Sequence, residues 1–471
     1  MNIVELSAFE LSAAIHNKQV SCSEVMHAYL AQIDALNPIY NAIVSRADSD
    51  QLLAQAGNHD AMLAAGTPKG WMHGMPQAIK DLAPVAGFPT AMGSPLLANK
   101  LAHEDGLMAA RMRAAGAIII GKTNTPEFGL GSHTFNTVFG ATRNAFDTDR
   151  SAGGSSGGAA VALAKHMLPV ADGSDFMGSL RNPAAWNNIV GMRPSQGRIP
   201  MWPVADIWVN QLGTEGPMGR NVRDVALLLQ TQSGFDPRLP LSLHTNESFA
   251  QGLGTLEANQ LRIGWLGDMQ RYLPFEDGIL SLCEKALHIV STHGAKVAHC
   301  KPNFDPATVW QHWLVWRRWL VATRLAPLLE NPNNRPHIKH EAIWEFKQAE
   351  GLSAAELMKA SEGRTQFYQA ITKQFDQFDV LAIPSAQVWP FAIDEHWPQQ
   401  INGRAMDTYH RWMEVVIYAT FAGLPCISVP VGFFNVPGAN APLPMGLQLI
   451  GKPQGDVALL KAAQLFEDIL A

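Results

Sequence analysis

The chain has 471 residues, of which 47% are hydrophobic and 16% charged, and its formal net charge is −6 at pH 7. This length and composition are typical of a globular protein with a large buried core. The negative charge and the lack of a basic cluster argue against nucleic acid or an anionic membrane as the main partner.

The sequence shows no sign of a membrane span, a secretory signal or a metal site. No stretch approaches the roughly 18 consecutive apolar residues of a membrane-spanning helix, and the first residues lack a basic start followed by an apolar run. The four cysteines form no CxxC pair, and the 16 histidines form no HExxH or HxH pair. These patterns disfavour a disulfide scaffold and a zinc site, so we expect a cytoplasmic protein without a metal.

The N-terminal region is predicted to be helical. Ser7 with Glu10 and Ser21 with Glu24 both fit the capping box, in which a hydroxyl and a carboxylate each satisfy a free backbone N–H group. Apolar residues after Ser21 keep to one helical face, and Asn37-Pro38 predicts the end of that helix.

From about residue 70 onwards, short apolar runs alternate with helical patterns. GAIIIG at 116–121 is short and β-branched, which favours a buried strand. A helix is predicted at about 276–293, and strand-like runs follow at 378–384, 426–433 and 446–451. This alternation predicts an α/β fold with a largely buried sheet.

Tryptophans recur between these segments at every third residue. The favoured interpretation is a helix that packs them against the body of the protein, and the alternative is that some line an apolar substrate pocket. The residues are Trp310, Trp313, Trp316 and Trp319, with Trp344 further along.

Residues 153–158 read GGSSGG, which has several possible meanings. The apolar flanks disfavour a flexible linker, and GGSSGGAA itself has neither the GxxxxGK[ST] nor the GxGxxG spacing of a nucleotide phosphate site. The loose pattern GxSxG, centred on Ser155, fits a Ser-His-Asp hydrolase only weakly. That interpretation also needs a late histidine, and nothing in the sequence around His410 supports it.

Two further segments carry residues with possible chemistry. Lys80 lies in GMPQAIKDLAPVAG, and Ser179 lies in GSLR. A lysine accepts a proton only when neutral, which requires burial or another cause of a lowered pKa. Taken alone, Lys80 fits a paired surface residue, Ser155 and Ser156 fit a turn, and Ser179 fits the cap of a helix near Asn182-Pro183.

Taken together, these segments resemble the amidase signature family. The resemblance touches most of the chain and is densest over about 70–230. It implies an α/β fold with a central mixed, twisted sheet covered by helices on both faces. It also implies a single domain over 1–471, with a variable helical, tryptophan-rich segment at about 235–375. The matching segments are GMPQAIKDL, GKTNTPEFG, GGSSGGAAVALA, GSDFMGSLRNPAAWNNIVGMRPSQGRIP, GTEGPMGRNVRDVALLL, FDVLAIPSA, GLPCISVPVGF and MGLQLIG.

The resemblance implies a Ser-cisSer-Lys triad that hydrolyses amides. Ser179 of GSLR corresponds to the nucleophile, Lys80 to the base, and Ser155 to the bridging serine. Ser155 is chosen over Ser156 because it precedes Ser179 by 24 residues, the family spacing. Ser179 would attack the amide carbonyl while Ser155 relays its proton to neutral Lys80.

The resemblance also implies an oxyanion hole and supporting residues around the nucleophile. Its backbone N–H donors would come from Phe176, Met177, Gly178 and Ser179, and such donors stabilise a developing oxyanion. Ser156 would brace its loop, and Asp175 and Arg181 would be structural. Met177 departs from the glycine-rich family pattern GSDxGGSIR, so we expect an altered pocket and a working hole if φ is negative there.

The implied function is hydrolysis of a linear or cyclic carboxylic amide of small size, with no cofactor, nucleic acid or membrane. Many relatives are dimers, which leaves a homodimer open. GSDFMGSLRNPA resembles the branch that contains 6-aminohexanoate cyclic-dimer hydrolases. Two alternatives are the A subunit of a glutamyl-tRNA amidotransferase and a non-catalytic binding protein. The first usually reads RxGLxAxASSLDQ where this chain reads PMWPVADIWVNQLGTEGP, and the intact Lys80, Ser155 and Ser179 argue against the second.

Overall fold

The computed structural model describes residues 2–471, which form helices and strands along the whole chain. The α-helices are α1 Ala8–His16, α2 Cys22–Tyr40, α3 Ser49–Ala64, α4 Leu107–Ala114, α5 Gly157–Ala164, α6 Arg181–Trp186, α7 Val222–Gln232, α8 Ile279–Thr292, α9 Pro306–Leu329, α10 His340–Gln348, α11 Ala354–Thr372, α12 Ile417–Ala422 and α13 Asp456–Leu470. The strands are β1 Ile43–Val44, β2 Pro76–Lys80, β3 Ile118–Thr123, β4 Ala171–Asp175, β5 Val190–Arg193, β6 Thr214–Gly219, β7 Arg262–Trp265, β8 Lys296–His299, β9 Val380–Pro384, β10 Gln400–Ile401, β11 Arg404–Ala405, β12 Cys426–Phe434 and β13 Leu443–Ile450.

Both predicted capping boxes are present at the start of α1 and α2, with Ser7 and Ser21 as the capping residues. The predicted end of α2 at Asn37-Pro38 is wrong, because the helix continues through Pro38 to Tyr40. A proline in the last turn removes only one backbone hydrogen bond. The turn is closed by Asn41, which has φ +50° and whose backbone N–H donates to the carbonyl of Asn37.

A large mixed sheet forms the centre of the molecule. Its eight strands run in the order β4-β6-β5-β12-β13-β9-β7-β8, antiparallel from β4 to β9 and parallel from β9 to β8. A smaller sheet of order β1-β3-β2 lies beside it, and its strand β2 packs against β4. Helices flank the large sheet, which confirms the predicted mixed α/β architecture.

The buried apolar side chains form two large cores, one around each sheet. One core joins the large sheet to helices that include α6, α8 and α13, and the other joins the small sheet to α1, α2 and α5. The residues proposed for catalysis lie where the two cores meet, at the ends of β2 and β4. No helix within residues 2–471 combines the length and apolarity needed to cross a membrane.

The tryptophans at 310–319 lie on α9, a helix of 24 residues. Trp310, Trp313 and Trp316 are buried, as the packing interpretation predicts. Trp313 also approaches the turn before Ser179, with its ring centroid 5.8 Å from that of Phe176. The tryptophan-rich segment therefore packs on the body of the protein and also reaches the candidate site.

Candidate active site

Four short segments bring the candidate residues together. Lys80 is the last residue of β2, Ser155 and Ser156 directly precede α5, Ser174 lies in β4, and Ser179 lies in the turn between β4 and α6. Since β2 packs against β4, a side chain at the end of β2 reaches the serines of both neighbouring segments.

The ammonium group of Lys80 is enclosed by serine oxygens. Its Nζ donates to the Oγ atoms of Ser155 and Ser156, both at 2.8 Å, and to the Oγ of Ser174 at 3.0 Å. Only 1% of Lys80 is exposed, and the Gly154–Ser155 peptide bond is cis. Lys80 is therefore a buried amine whose Nζ can exchange a proton directly with the Oγ of Ser155.

Burial lowers the pKa of Lys80 from 10.5 to about 7, and the charges of Asp172 and Asp175 partly offset this effect. Removing an ammonium from water disfavours its charged form, whereas a nearby carboxylate favours it. Neutral and protonated Lys80 are thus both accessible near neutral pH, as a group that accepts and then returns a proton requires.

Ser179 lies on a tight turn next to this cluster, and it is 7% exposed. Its Oγ forms no hydrogen bond with any group in residues 2–471. The two serine-bearing segments are nonetheless in contact, because the Ser132 hydroxyl lies within hydrogen-bond distance of Gly154 O (2.6 Å) and also of Asn182 Oδ1. Ser132 was missed by the sequence reasoning, and no local pattern marks it.

The turn before Ser179 presents backbone donors. Within residues 2–471, the N–H groups of Phe176, Met177 and Ser179 have no protein acceptor. The N–H of Gly178 donates instead to Asp175 Oδ1 at 2.9 Å. Met177 is not among the residues with positive φ, whereas Gly178 has φ +80°. Three of the four predicted oxyanion donors are therefore free, and the condition set for Met177 is met.

A buried ion-pair network supports this turn. Arg181 donates to both carboxylate oxygens of Asp175, at 2.9 and 3.0 Å, and Arg193 also contacts this carboxylate. All three side chains are fully buried. Burial acts to raise the pKa of Asp175, but the two guanidinium groups outweigh it and hold the pKa at about 2. This agrees with a structural role for Asp175 and Arg181, and the sequence reasoning missed Arg193.

The side chain of Met177 packs against α9. Its Sδ accepts a hydrogen bond from Arg317 Nη1 at 3.6 Å, and 4% of the residue is exposed. Arg317 is itself held by Glu345 at 2.7 Å and by the hydroxyl of Tyr409, also at 2.7 Å. Met177 is thus anchored by Arg317 of the tryptophan-rich segment, and Arg317 is itself fixed by its own buried partners.

Two carboxyl residues near Lys80 were not foreseen. The backbone N–H of Lys80 donates to both carboxylate oxygens of Asp172, at 3.3 and 3.1 Å, and Asp172 is 1% exposed. Glu215 on β6 is paired with Ser174 in the sheet register, and in its ionised form it favours protonated Lys80. Asp172 and Ser174 lie two residues apart on β4 and so share one face of the strand. Once β2 is known to pack against β4, this spacing predicts that both side chains lie near Lys80.

Other interpretations find less support in the geometry. His410 lies 3.7 Å from Glu345, and the side-chain partner of Ser155 is Lys80 rather than a histidine. Within residues 2–471, no group of three His, Cys, Asp or Glu side chains is arranged to hold a metal ion.

Comparison with known proteins identifies the family. The family model described as Amidase matches residues 24–460. An acylamidase of Rhodococcus erythropolis is 31% identical over 474 residues, covering 99% of this chain and 96% of the relative. The A subunit of the glutamyl-tRNA(Gln) amidotransferase of Burkholderia ambifaria is 31% identical, covering 98% and 97%.

Solved structures of related proteins share the fold. A bacterial aryl acylamidase of the amidase signature family superposes with a TM-score of 0.91 at 29% identity, covering 100% of this chain and 97% of the other. A 6-aminohexanoate cyclic dimer hydrolase has a TM-score of 0.85 at 23% identity, covering 99% and 97%, which supports the fold alone. With its sequence and structure matched end to end, the chain belongs to the amidase signature family.

Proposed function

We propose that this protein hydrolyses a carboxylic amide C–N bond through an acyl-enzyme on Ser179. The observation that carries the proposal is the buried Lys80, bonded to Ser155 and with a pKa of about 7, beside a turn with free N–H groups. Together these supply a base, a proton relay and an oxyanion site.

In the first half of the reaction, Ser179 Oγ attacks the amide carbonyl carbon. Its proton passes to Ser155, and the proton of Ser155 passes to neutral Lys80. The N–H groups of Phe176, Met177 and Ser179 stabilise the negative oxygen of the tetrahedral intermediate, and one such donor typically contributes about 10²–10³ in rate. The C–N bond then breaks as protonated Lys80 returns its proton through Ser155 to the leaving amine.

In the second half, water replaces the amine. The water attacks the ester carbonyl of the acyl-enzyme while its proton passes through Ser155 to Lys80. The ester C–O bond breaks, Ser179 takes back a proton, and the carboxylic acid leaves. Ser156 and Ser174 hold the Nζ of Lys80 in place in both its neutral and its protonated form, since both accept a hydrogen bond from it.

The alternative is the amidotransferase role, which the 31% identity to the Burkholderia ambifaria protein favours. Two observations favour the hydrolase. The aryl acylamidase superposes with a TM-score of 0.91, against 0.78 for the Thermotoga maritima amidotransferase protein. The chain also reads PMWPVADIWVNQL at 200–212, where the amidotransferase pattern is absent. Turnover of simple amides by the isolated chain is expected only of the hydrolase.

The test is a panel of linear aryl, alkyl and cyclic amides assayed with wild-type protein and with Ser179→Ala. We expect turnover of at least one amide by wild type and none by Ser179→Ala, with both proteins folded by circular dichroism. Ser195→Ala is the matched control, because Ser195 is a buried serine whose hydroxyl has no partner, on the strand-to-loop segment after Arg193. Full turnover by Ser179→Ala would exclude the acyl-enzyme on that residue.

A cytoplasmic location and a homodimer belong to the same proposal, by analogy with the family. Cell fractionation tests the first, and sedimentation of the purified protein tests the second.

A further inference from the structure

Arg324 has an unusual position on α9. The residues Arg317, Val321 and Leu325 lie on the inward face of this helix and are buried. Arg324 lies on the same face, at the helical spacing that continues from Arg317 and Val321, yet it is exposed. The Arg324 side chain therefore reaches solvent from the face of α9 that otherwise packs against the body of the protein.

Arg324 lies close to the candidate catalytic residues. The Nη2 of Arg324 donates to the carbonyl of Phe128 at 2.7 Å. The next residue, Gly129, is so close to the relay serine that a Cβ added to it would lie 3.5 Å from Ser155 Oγ. The charge of Arg324 also acts on Lys80, where it lowers the pKa. Arg324 therefore stands beside the site rather than on a remote surface.

Arg324 has no acidic partner. It forms no ion pair with any residue in the described range 2–471, whereas Arg317, two turns earlier, is paired with Glu345 at 2.7 Å. Lys339 contacts the same turn, donating from Nζ to the carbonyl of Leu130 at 2.6 Å. The backbone N–H of Lys339 donates to Glu127, whose charge acts on that lysine, so Arg324 is the less neutralised of the two cations.

Apolar side chains flank Arg324 on α9 and on the turn that it contacts. Phe128, Leu130, Val321 and Leu325 belong to one apolar cluster, which half-buried Trp344 and Leu97 extend. A guanidinium has five N–H donors in a planar fork that matches a carboxylate, and only one bond to protein is made here. A cation with free donors among apolar walls fits a ligand with an apolar body and one anionic group.

We infer that Arg324 binds a carboxylate carried by the substrate, so that the preferred substrates are amides with an apolar body and one carboxylate. This inference rests on the proposed function, because it places the carboxylate beside the turn that contacts Ser155. The carboxylate belongs either to the acyl part or to the amine part of the amide, and the two cases are separated by experiment.

The test uses two pairs of anilides that differ in charge. N-phenylsuccinamate and N-phenylpentanamide differ in the acyl part, and 4-acetamidobenzoate and 4-methylacetanilide differ in the amine part. We expect wild-type kcat/KM to favour the carboxylate member of one pair by at least about tenfold. Arg324→Met is expected to lower that ratio about 10–100-fold, mainly through KM, and Arg324→Lys to retain part of it.

Two controls separate charge recognition from general damage. Arg318→Met removes a cation from the same helix and is expected to leave the ratio unchanged. Raising the ionic strength is expected to reduce the wild-type ratio, because Arg324 is accessible to solvent. The inference is overturned if the ratio of kcat/KM between the carboxylate and neutral members is near one in both pairs and Arg324→Met does not change it.

The proposed function is tested separately by the neutral anilides. If they are hydrolysed in a Ser179-dependent way without a carboxylate preference, only the inference about Arg324 fails. If no anilide is turned over, calorimetry of the four compounds with Ser179→Ala decides. The inference is supported if a carboxylate compound binds Ser179→Ala and binds more weakly to the double variant that also carries Arg324→Met. It is overturned if no carboxylate compound binds, or if the two variants bind it equally.

Discussion

Asp172 lies directly beneath the proposed base, and we predict that it sets the pH range of catalysis. Its carboxylate accepts the backbone N–H of Lys80 and is buried. Burial raises the pKa of Asp172 to about 6, so the carboxylate is mostly ionised at pH 7. Its negative charge favours the protonated form of Lys80 and keeps the pKa of the lysine from falling further.

The size of this effect follows from charge and distance. At a separation of about 7 Å between the Lys80 ammonium and the Asp172 carboxylate, the two charges interact with about 2.4 kcal/mol at an effective dielectric constant of about 20. That energy corresponds to between about one and two pKa units. In Asp172→Asn, the pKa of Lys80 should therefore fall from about 7 to between about 5 and 6.

The direction of the change in activity follows from the role of neutral Lys80. Wild-type kcat/KM should rise with pH through about 7, as Lys80 loses its proton. In Asp172→Asn the same rise should occur at lower pH, by between about one and two units. The assay is kcat/KM from pH 4.5 to 9 for an active amide, with stability checked at each pH. A base that is easier to deprotonate is also a weaker acceptor, so the plateau should be lower.

Glu215→Gln is the matched control. Burial raises the pKa of Glu215 to about 8, with a further contribution from Asp172, so its carboxyl group is largely neutral near pH 7. Replacing it with glutamine should therefore leave the acid side of the profile in place. An unmoved or upward-shifted profile in Asp172→Asn, or an equal shift in both variants, would refute the electrostatic reasoning.

Three further predictions concern the supports of the site. Asp175→Asn leaves two buried arginines without their carboxylate and should destabilise the fold by about 3–5 kcal/mol, measured by denaturant unfolding. Met177→Gly removes the contact to Arg317 and should lower both kcat and the melting temperature, whereas Met177→Leu should cost under about 1.5 kcal/mol. Gly158→Ala would place its Cβ 2.4 Å from a backbone nitrogen and should lower the melting temperature, while Gly57→Ala, with open space around it, should raise it.

The sequence predicts the local structure well where one principle dominates. The two capping boxes and the β-branched run that became β3 depend on neighbouring residues alone, and both are confirmed. The predicted end of α2 was wrong because the closing interaction comes from Asn41, which adopts a left-handed conformation after the proline. A sequence pattern registers the proline, but it does not show the hydrogen bonds that compensate for the one that the proline removes.

In the candidate site too, residues within local motifs are predicted from the sequence, whereas residues that depend on tertiary contacts are not. Lys80, Ser155 and Ser179 are selected by short motifs and their spacing, which are visible in the sequence itself. Asp172 and Arg193 escape such reasoning, because Asp172 matters only once β2 and β4 are in contact, and Arg193 only once β5 is brought to Asp175. From sequence alone, Lys80 fits a paired surface residue, and only tertiary packing decides that it is 1% exposed.

Met177 connects the nucleophile turn to the variable part of the chain. From the sequence, the side chain of Met177 could either pack inside the protein or enter the substrate pocket. In the structure it packs against Arg317 of α9. The same helix presents Arg324 to the turn beside Ser155. A change in α9 therefore affects both the turn before Ser179, through Arg317, and the turn beside Ser155, through Arg324.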